Sequence, residues 1–161
     1  MLVSLDAEIE KVLDYYGDQV KDAIKTRLTK DNKYASGKAA NTLIKKVTPR
    51  SLQIEGWKYI EVISGGREPG KQAPPIGKIV EWLENKKGMT IRSERYANKK
   101  YRIGSLAYII ARNIGKNGIK GNNMLTDIKN DFAPRIDADL ADVIQAEIVR
   151  ITTEINKKTN K

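Results

Sequence analysis

The chain has 161 residues, 40% of them apolar, which is enough for one ordinary domain with a buried core. Its 30 Lys and Arg outnumber its 20 Asp and Glu and give a formal net charge of +10, which favours nucleic acid or an acidic protein surface as a partner. The sequence has no Cys and no His, which excludes disulfides, thiolate nucleophiles, imidazole bases and the commonest zinc ligands.

The apolar runs are all far shorter than the roughly 20 residues that span a bilayer. The first residues, MLVSLDAEIEK, carry acids where a signal peptide would carry bases. We therefore expect a soluble protein that is made and used without export and has no membrane partner.

The first predicted element is a helix that begins near Leu5. Ser4 can cap it, and Asp6 and Glu8 lie in the first turn, where the helix dipole favours acids. Its apolar residues recur at steps of three and four, which places them on one face of about seven turns. They are Leu5, Ile9, Val12, Leu13, Tyr16, Val20, Ile24 and Leu28.

The apolar period then changes to two. Residues 42–47, 51–56 and 57–63 alternate or nearly so, and TPRS at 48–51 is a plausible turn. This pattern predicts an antiparallel meander of three or four strands with one face against the helices.

A corner rich in glycine and proline, GGREPGKQAPP at residues 65–75, follows the third of these runs. It does not match a Walker phosphate loop, because the Gly and Lys spacing is wrong and prolines remove amide donors. We interpret the corner as a rigid loop that docks a neighbouring subunit, with Arg67 as its charged anchor. The proposed docking residues are Gly65, Gly66, Arg67, Glu68, Pro69, Gly70, Pro74 and Pro75.

Two shorter helices are predicted after the corner. The first begins at Pro75 and ends at Gly88, with Trp82 as core support behind the corner, and the second runs from Ser105 to Gly115. Residues 89–103 fit a short hairpin or a mobile loop, and residues 115–123 fit a flexible loop.

The last predicted helix has Pro134 near its start and repeats the three-and-four spacing as far as Ile155. Three acids, Asp137, Asp139 and Asp142, would then lie in its first turns, where the helix dipole explains them. The alternative for these acids is a metal-dependent nuclease site built from carboxylates, with Asp127 and Asp131 nearby.

Most of the net positive charge lies in residues 86–120, which carry ten bases and one acid. These bases could be a solvated face, a row of contacts to duplex DNA, or part of a single-strand binder in which Tyr96, Tyr101 and Tyr108 stack on nucleobases. The candidates that face DNA or an acidic partner are Lys86, Lys87, Arg92, Arg95, Lys99, Lys100, Arg102, Lys116 and Lys120.

The order of these features resembles the small neck and tail-component proteins of tailed bacteriophages, which include head-to-tail joining, tail-completion and minor tail proteins. The resemblance is carried by ASGKAANTLI (35–44), YIEVISGGREPGKQAPP (59–75), IGKIVEWLENKKG (76–88) and AYIIARNIGKNGIKG (107–121). It covers nearly the whole chain and includes no catalytic signature.

The resemblance implies a non-enzymatic virion protein without cofactor, metal or small-molecule substrate. Such a protein would form a homo-oligomeric ring between the portal-connector and tail proteins, with duplex DNA passing through, and would reside in the host cytoplasm during assembly. Together with the periodicity, it leads us to expect a single α+β domain over residues 1–161, in which long terminal helices pack on the meander. The alternative function is a free nucleic-acid-binding module that uses residues 86–120.

Overall fold

The computed structural model describes residues 4–30, 37–85 and 99–159. The α+β class is confirmed, with long helices near both ends of the chain. In chain order the elements are α1 (Leu5–Lys30), α2 (Lys38–Asn41), β1 (Ile44–Thr48), β2 (Ser51–Glu55), α3 (Tyr59–Gly65), β3 (Gly66–Arg67), α4 (Ile76–Asn85), α5 (Lys99–Asn117), β4 (Ile119–Lys120) and α6 (Met124–Thr159).

Helix α1 confirms the first predicted helix. The Ser4 hydroxyl accepts a hydrogen bond from the Ala7 amide at 3.3 Å, which satisfies one of the free donors at the helix start. Four residues of the predicted apolar face are buried, and Leu28 is completely so. They are Leu13, Tyr16, Ile24 and Leu28.

The predicted hairpin is confirmed, but the third strand of the meander is wrong. Strands β1 and β2 pair antiparallel from Ile44 opposite Glu55 to Thr48 opposite Ser51. Residues 57–63 instead lead into helix α3, in which Ile60, Ile63 and Ser64 are buried. Ile60 and Ile63 lie three residues apart, which places both on one face of a helix. Their burial favours a helix over the strand that the alternation of aromatic residues predicted.

A separate, short strand pair forms elsewhere in the chain. Gly66 lies opposite Lys120 and Arg67 opposite Ile119, so β3 and β4 join the start of the corner to the segment before α6. The prediction that residues 115–123 form a flexible loop is therefore wrong: α5 extends to Asn117, and the next residues are held by backbone pairing.

The two shorter helices are present with different bounds. Helix α4 begins at Ile76, as Pro75 predicted, while α5 begins at Lys99 and places Ser105 inside the helix, so Ser105 is not its cap. Of the predicted loop over 89–103, residues 99–103 belong to α5, and the remainder lies outside the described residues.

Helix α6 begins ten residues before Pro134, which lies inside it. Proline lacks the amide that would bond to the carbonyl of Asn130, and both residues are exposed, so water can satisfy that carbonyl. The interpretation of Asp137, Asp139 and Asp142 as helix-start acids is wrong, because only Asp127 lies in the first turn.

Contacts between α-carbons group the described chain into two compact units. Unit 1 comprises Met1–Ile24, Leu43–Glu55 and Thr126–Lys161. Within it, the Tyr16 hydroxyl donates a 2.8 Å hydrogen bond to Asp139, and the Tyr16 ring meets Phe132 edge-on at 6.3 Å between centroids. The ammonium nitrogen of Lys45 in β1 lies 2.7 Å from a carboxylate oxygen of Asp14 and 2.8 Å from one of Asp18. Hydrogen bonds to these carboxylates raise the pKa of the ammonium group.

Unit 2 comprises Lys25–Thr42 and Gly56–Leu125. Its helices α4 and α5 pack through a cluster centred on Leu83, Ile103 and Ala107, against which Trp82 and Leu106 are partly buried. Met124 is fully buried and fixes the first residue of α6. Unit 2 therefore contains the corner, both shorter helices and the strand pair that links them.

Candidate functional site

The corner is held by backbone contacts at its start and in its middle. At its start, β3 pairs with β4, and further along the Gly70 amide donates a 2.9 Å hydrogen bond to the Gly115 carbonyl at the end of α5. A Cβ on Gly115 would lie 3.2 Å from Ala73, so α5 and the corner approach closely at this glycine. The start and the middle of the corner are thus tied to α5 and to the residues that follow it.

Glycines make this close approach possible. Gly66 has a φ of +81° and Gly118 a φ of +71°, a region that other residues rarely adopt. A Cβ on Gly66 would lie 2.5 Å from the Ile119 carbonyl oxygen, and one on Gly118 would overlap the Arg67 carbonyl oxygen. Gly65, by contrast, ends α3 without positive φ.

The tip of the corner is presented to solvent. Residues 68–73 are exposed, and Glu68 forms a 3.3 Å surface ion pair with Lys71. Arg67 is half-buried, and its guanidinium donates a hydrogen bond to the Gln72 carbonyl. Arg67 therefore stabilises the loop as well as carrying charge, a structural role that the sequence interpretation as a free anchor did not include.

An apolar groove of about 350 Å³ lies beside the corner in unit 2. Arg67 and Pro74 of the corner line one part of it, and Lys78, Glu81 and Asn85 of α4 provide polar groups at its edge. Its aromatic and aliphatic lining includes Trp57, Tyr59, Ile79, Trp82, Ile110 and Ile114. The Trp57 and Tyr59 rings lie 5.4 Å apart, and burial raises the pKa of the Tyr59 hydroxyl.

The basic candidate residues are only partly described. Lys86, Lys87, Arg92 and Arg95 lie outside the described residues, and Lys99 and Lys100 are placed by their backbone alone at the start of α5. Arg102 is half-buried, while Lys116 and Lys120 are exposed near the end of α5 and in β4.

The two units differ in net charge. Unit 2 has 19 Lys and Arg and 6 Asp and Glu, a net charge of +13. Unit 1 has 11 Lys and Arg and 14 Asp and Glu, a net charge of −3.

The acidic candidates are distributed along α6. Asp139 accepts the bond from Tyr16, and Asp127 lies in the first turn. Within residues 4–30, 37–85 and 99–159, no group of three acidic side chains is arranged to hold a metal ion. The described part of the chain also contains no helix long and apolar enough to cross a membrane.

A second surface was missed by the sequence interpretation. Four isoleucines of α6, here called the α6 stripe, are 44 to 58% exposed: Ile144, Ile148, Ile151 and Ile155. Steps of four, three and four confine them to about 60° of the helix circumference. The spacing was visible in the sequence, but it was assigned to packing against the meander, whereas these four side chains are exposed.

Comparison with known proteins gives no assignment. No family model matches this chain, and neither a curated protein nor a solved structure matches it.

Proposed function

We propose that this chain is a non-enzymatic structural subunit that assembles with copies of itself. More specifically, we propose a neck or tail ring of a bacteriophage virion, at the junction of the portal-connector and the tail. The observation that carries the self-assembly is the α6 stripe, because four half-exposed isoleucines on one helix face are costly in water and gain when a partner covers them.

The C-terminal part of α6 supports this reading. Every residue from 151 to 159 is exposed, so about two and a half turns of helix make little contact within the described chain. An isolated helix of this length is marginal in water, and packing of an apolar face is the usual source of its stability. Assembly would supply that packing.

The corner supplies a second surface suited to assembly. Residues 68–73 are exposed while β3 and Gly70 are held by the bonds to β4 and α5, so we expect little conformational entropy to be lost when a neighbour docks on the corner. The specific place in a virion rests on the resemblance of the sequence to neck and tail components.

The test of this function uses assembled particles. Mass spectrometry of purified virions is expected to detect the chain, and electron microscopy with an antibody or tag label is expected to place several copies at the junction of portal and tail. Particles that lack the chain, or carry it elsewhere, would contradict the proposed location.

The net charge of +13 on unit 2 favours a second candidate function, sequence-independent binding of nucleic acid. Neutralising phosphates releases counterions, so the logarithm of the affinity for duplex DNA should fall linearly with the logarithm of salt concentration. Retention of DNA by the isolated monomer near physiological salt would favour this function, and negligible retention would remove it.

A further inference from the structure

The α6 stripe and the groove are two apolar surfaces on the same chain, and they differ in shape. The stripe is convex, since its four isoleucines lie along about 17 Å of helix axis. The groove is concave and lined by aromatic and aliphatic side chains, and its volume of about 350 Å³ is that of a small binding pocket. Insertion of an amphipathic helix into an apolar groove is a common mode of protein recognition.

The charges that border the two surfaces are complementary. Glu147 and Glu154 border the stripe, and both pair with Arg150 of the same helix. Arg67 and Lys78 border the groove together with Glu81, which pairs with Lys78 at 3.1 Å. These three side chains carry a net charge of +1, and Glu147, Arg150 and Glu154 beside the stripe carry a net charge of −1. The same relation holds on a larger scale, because unit 1 carries a net charge of −3 and unit 2 a net charge of +13.

Pairing of the stripe with a second stripe would lack this complementarity. Two copies of unit 1 would bring net negative charge against net negative charge, and the groove would keep its exposed Trp57 and Tyr59 rings. Pairing of stripe with groove covers both apolar surfaces in a single contact.

We propose that the α6 stripe of one copy inserts into the groove of a second copy. This inference rests on the proposed self-assembly and specifies its interface. Because the two surfaces are different, the contact is heterologous: each subunit offers one stripe and one groove, and repetition gives a closed ring when the rotation between subunits closes.

The first experiment uses two variants that disable one surface each. Ile148→Asp places a carboxylate in the stripe, and Trp57→Glu places one in the groove; both parent residues are exposed, at 58 and 41%. Sedimentation velocity of each full-length variant alone is expected to show a monomer, with association weakened at least about 30-fold. Circular dichroism melting confirms that each variant is folded.

The mixture of the two variants is the decisive sample. One intact stripe and one intact groove remain, so the equimolar mixture is expected to form a heterodimer of twice the single-chain mass of 18.1 kDa and nothing larger. If Trp57→Glu alone assembles like the parent chain while Ile148→Asp does not, the stripe pairs with itself and the inference is wrong, although self-assembly stands. A parent chain that stays monomeric would refute the proposed self-assembly itself.

A second measurement does not depend on how Trp57→Glu folds. The chain has no Cys, so single cysteines can be introduced without background. Glu154→Cys beside the stripe and Lys78→Cys beside the groove are expected to form a disulfide-linked dimer when the two proteins are mixed under mild oxidation. Crosslinking of Glu154→Cys with itself, and not with Lys78→Cys, would overturn the inference.

Discussion

The hydroxyl of Ser64 at the end of α3 accepts a 2.9 Å hydrogen bond from the backbone amide of Leu125 in the first turn of α6. Ser64 is buried, and its carbonyl oxygen also accepts a 2.9 Å hydrogen bond from the Asn123 amide. At the start of the helix, the side-chain oxygen of Asn122 accepts a 3.2 Å hydrogen bond from the Met124 amide. A buried serine of a short helix thus caps the longest helix of the described residues from 61 residues away.

Ser64→Ala removes this cap and leaves the Leu125 amide without its acceptor. We expect the free energy of unfolding to fall by about 1 to 2 kcal/mol. Urea unfolding followed by circular dichroism measures the change. The control is Ser105→Ala on the exposed face of α5, which should change stability by less than about 0.5 kcal/mol; equal losses in both variants would contradict the capping role.

Three glycines in and near the corner should rank by what an added methyl group meets and by backbone φ. Gly77→Ala in α4 has open space around it and should stabilise by about 0.5 to 1 kcal/mol through helix propensity. Gly70→Ala also has open space but a φ of +76°, so we expect a loss of about 1 to 2 kcal/mol from the left-handed backbone alone. Gly118→Ala adds backbone overlap to that strain and should cost more than either, about 3 kcal/mol or above.

Chemical denaturation of the three glycine variants gives this order directly. The ranking requires that the corner be packed against β4 as described. Equal effects of Gly70→Ala and Gly118→Ala would show that the strand pair between β3 and β4 does not persist in solution.

The bond between Tyr16 and Asp139 predicts a loss of stability at alkaline pH. The hydrogen bond that the Tyr16 hydroxyl donates to Asp139, together with burial, raises the pKa of this hydroxyl above its ordinary value of 10.0. A group whose pKa is raised on folding contributes its stability fully below the unfolded pKa and loses it as the pH rises through the folded pKa. The window of loss therefore begins near pH 10.

The measurement compares the parent chain with Tyr16→Phe by urea unfolding at pH 8 and at pH 11. The parent should be more stable at pH 8, and the difference should shrink at pH 11, where Tyr16 can ionise. Tyr15→Phe is the control, since Tyr15 is 62% exposed. If the difference in free energy of unfolding between the parent chain and Tyr16→Phe is the same at both pH values, the role of the hydroxyl is contradicted.

Substitution within the α6 stripe should separate assembly from folding. Ile148→Asp changes an exposed position, so the free energy of unfolding of the monomer should change by less than about 0.5 kcal/mol. The parent chain should melt at a temperature that rises with protein concentration, because association stabilises the folded state, and the variant should not. Differential scanning calorimetry at several concentrations tests both statements.

The sequence predicted those elements whose pattern reflects their own packing. The spacing from Leu5 to Leu28 and the hairpin with its turn at 48–51 are local signals, and both elements formed as expected. The segment before Gly65 misled because Trp57 and Tyr59 alternate like strand residues, yet burial of Ile60 and Ile63 decides its conformation. Tertiary contacts outweighed local propensity there.

The start of α6 and the groove could not be predicted from the sequence for a different reason. Pro134 is a good first residue of a helix, but the cap from Ser64 is contributed by a residue far away in the chain. The groove combines residues from α2, α3, α4 and α5, and no local pattern indicates that they converge. The rigid corner is a prediction from its glycines and prolines, whereas its attachment to Gly115 and β4 depends on the fold.

The mass of the purified full-length chain in solution tests the central claim, self-assembly through the α6 stripe, most directly. Native mass spectrometry of the parent chain at micromolar concentration is expected to show oligomers built from 18.1 kDa subunits, and Ile148→Asp is expected to show the single subunit. A parent chain that remains a single subunit at every concentration, or a variant that assembles as fully as the parent, would contradict the claim.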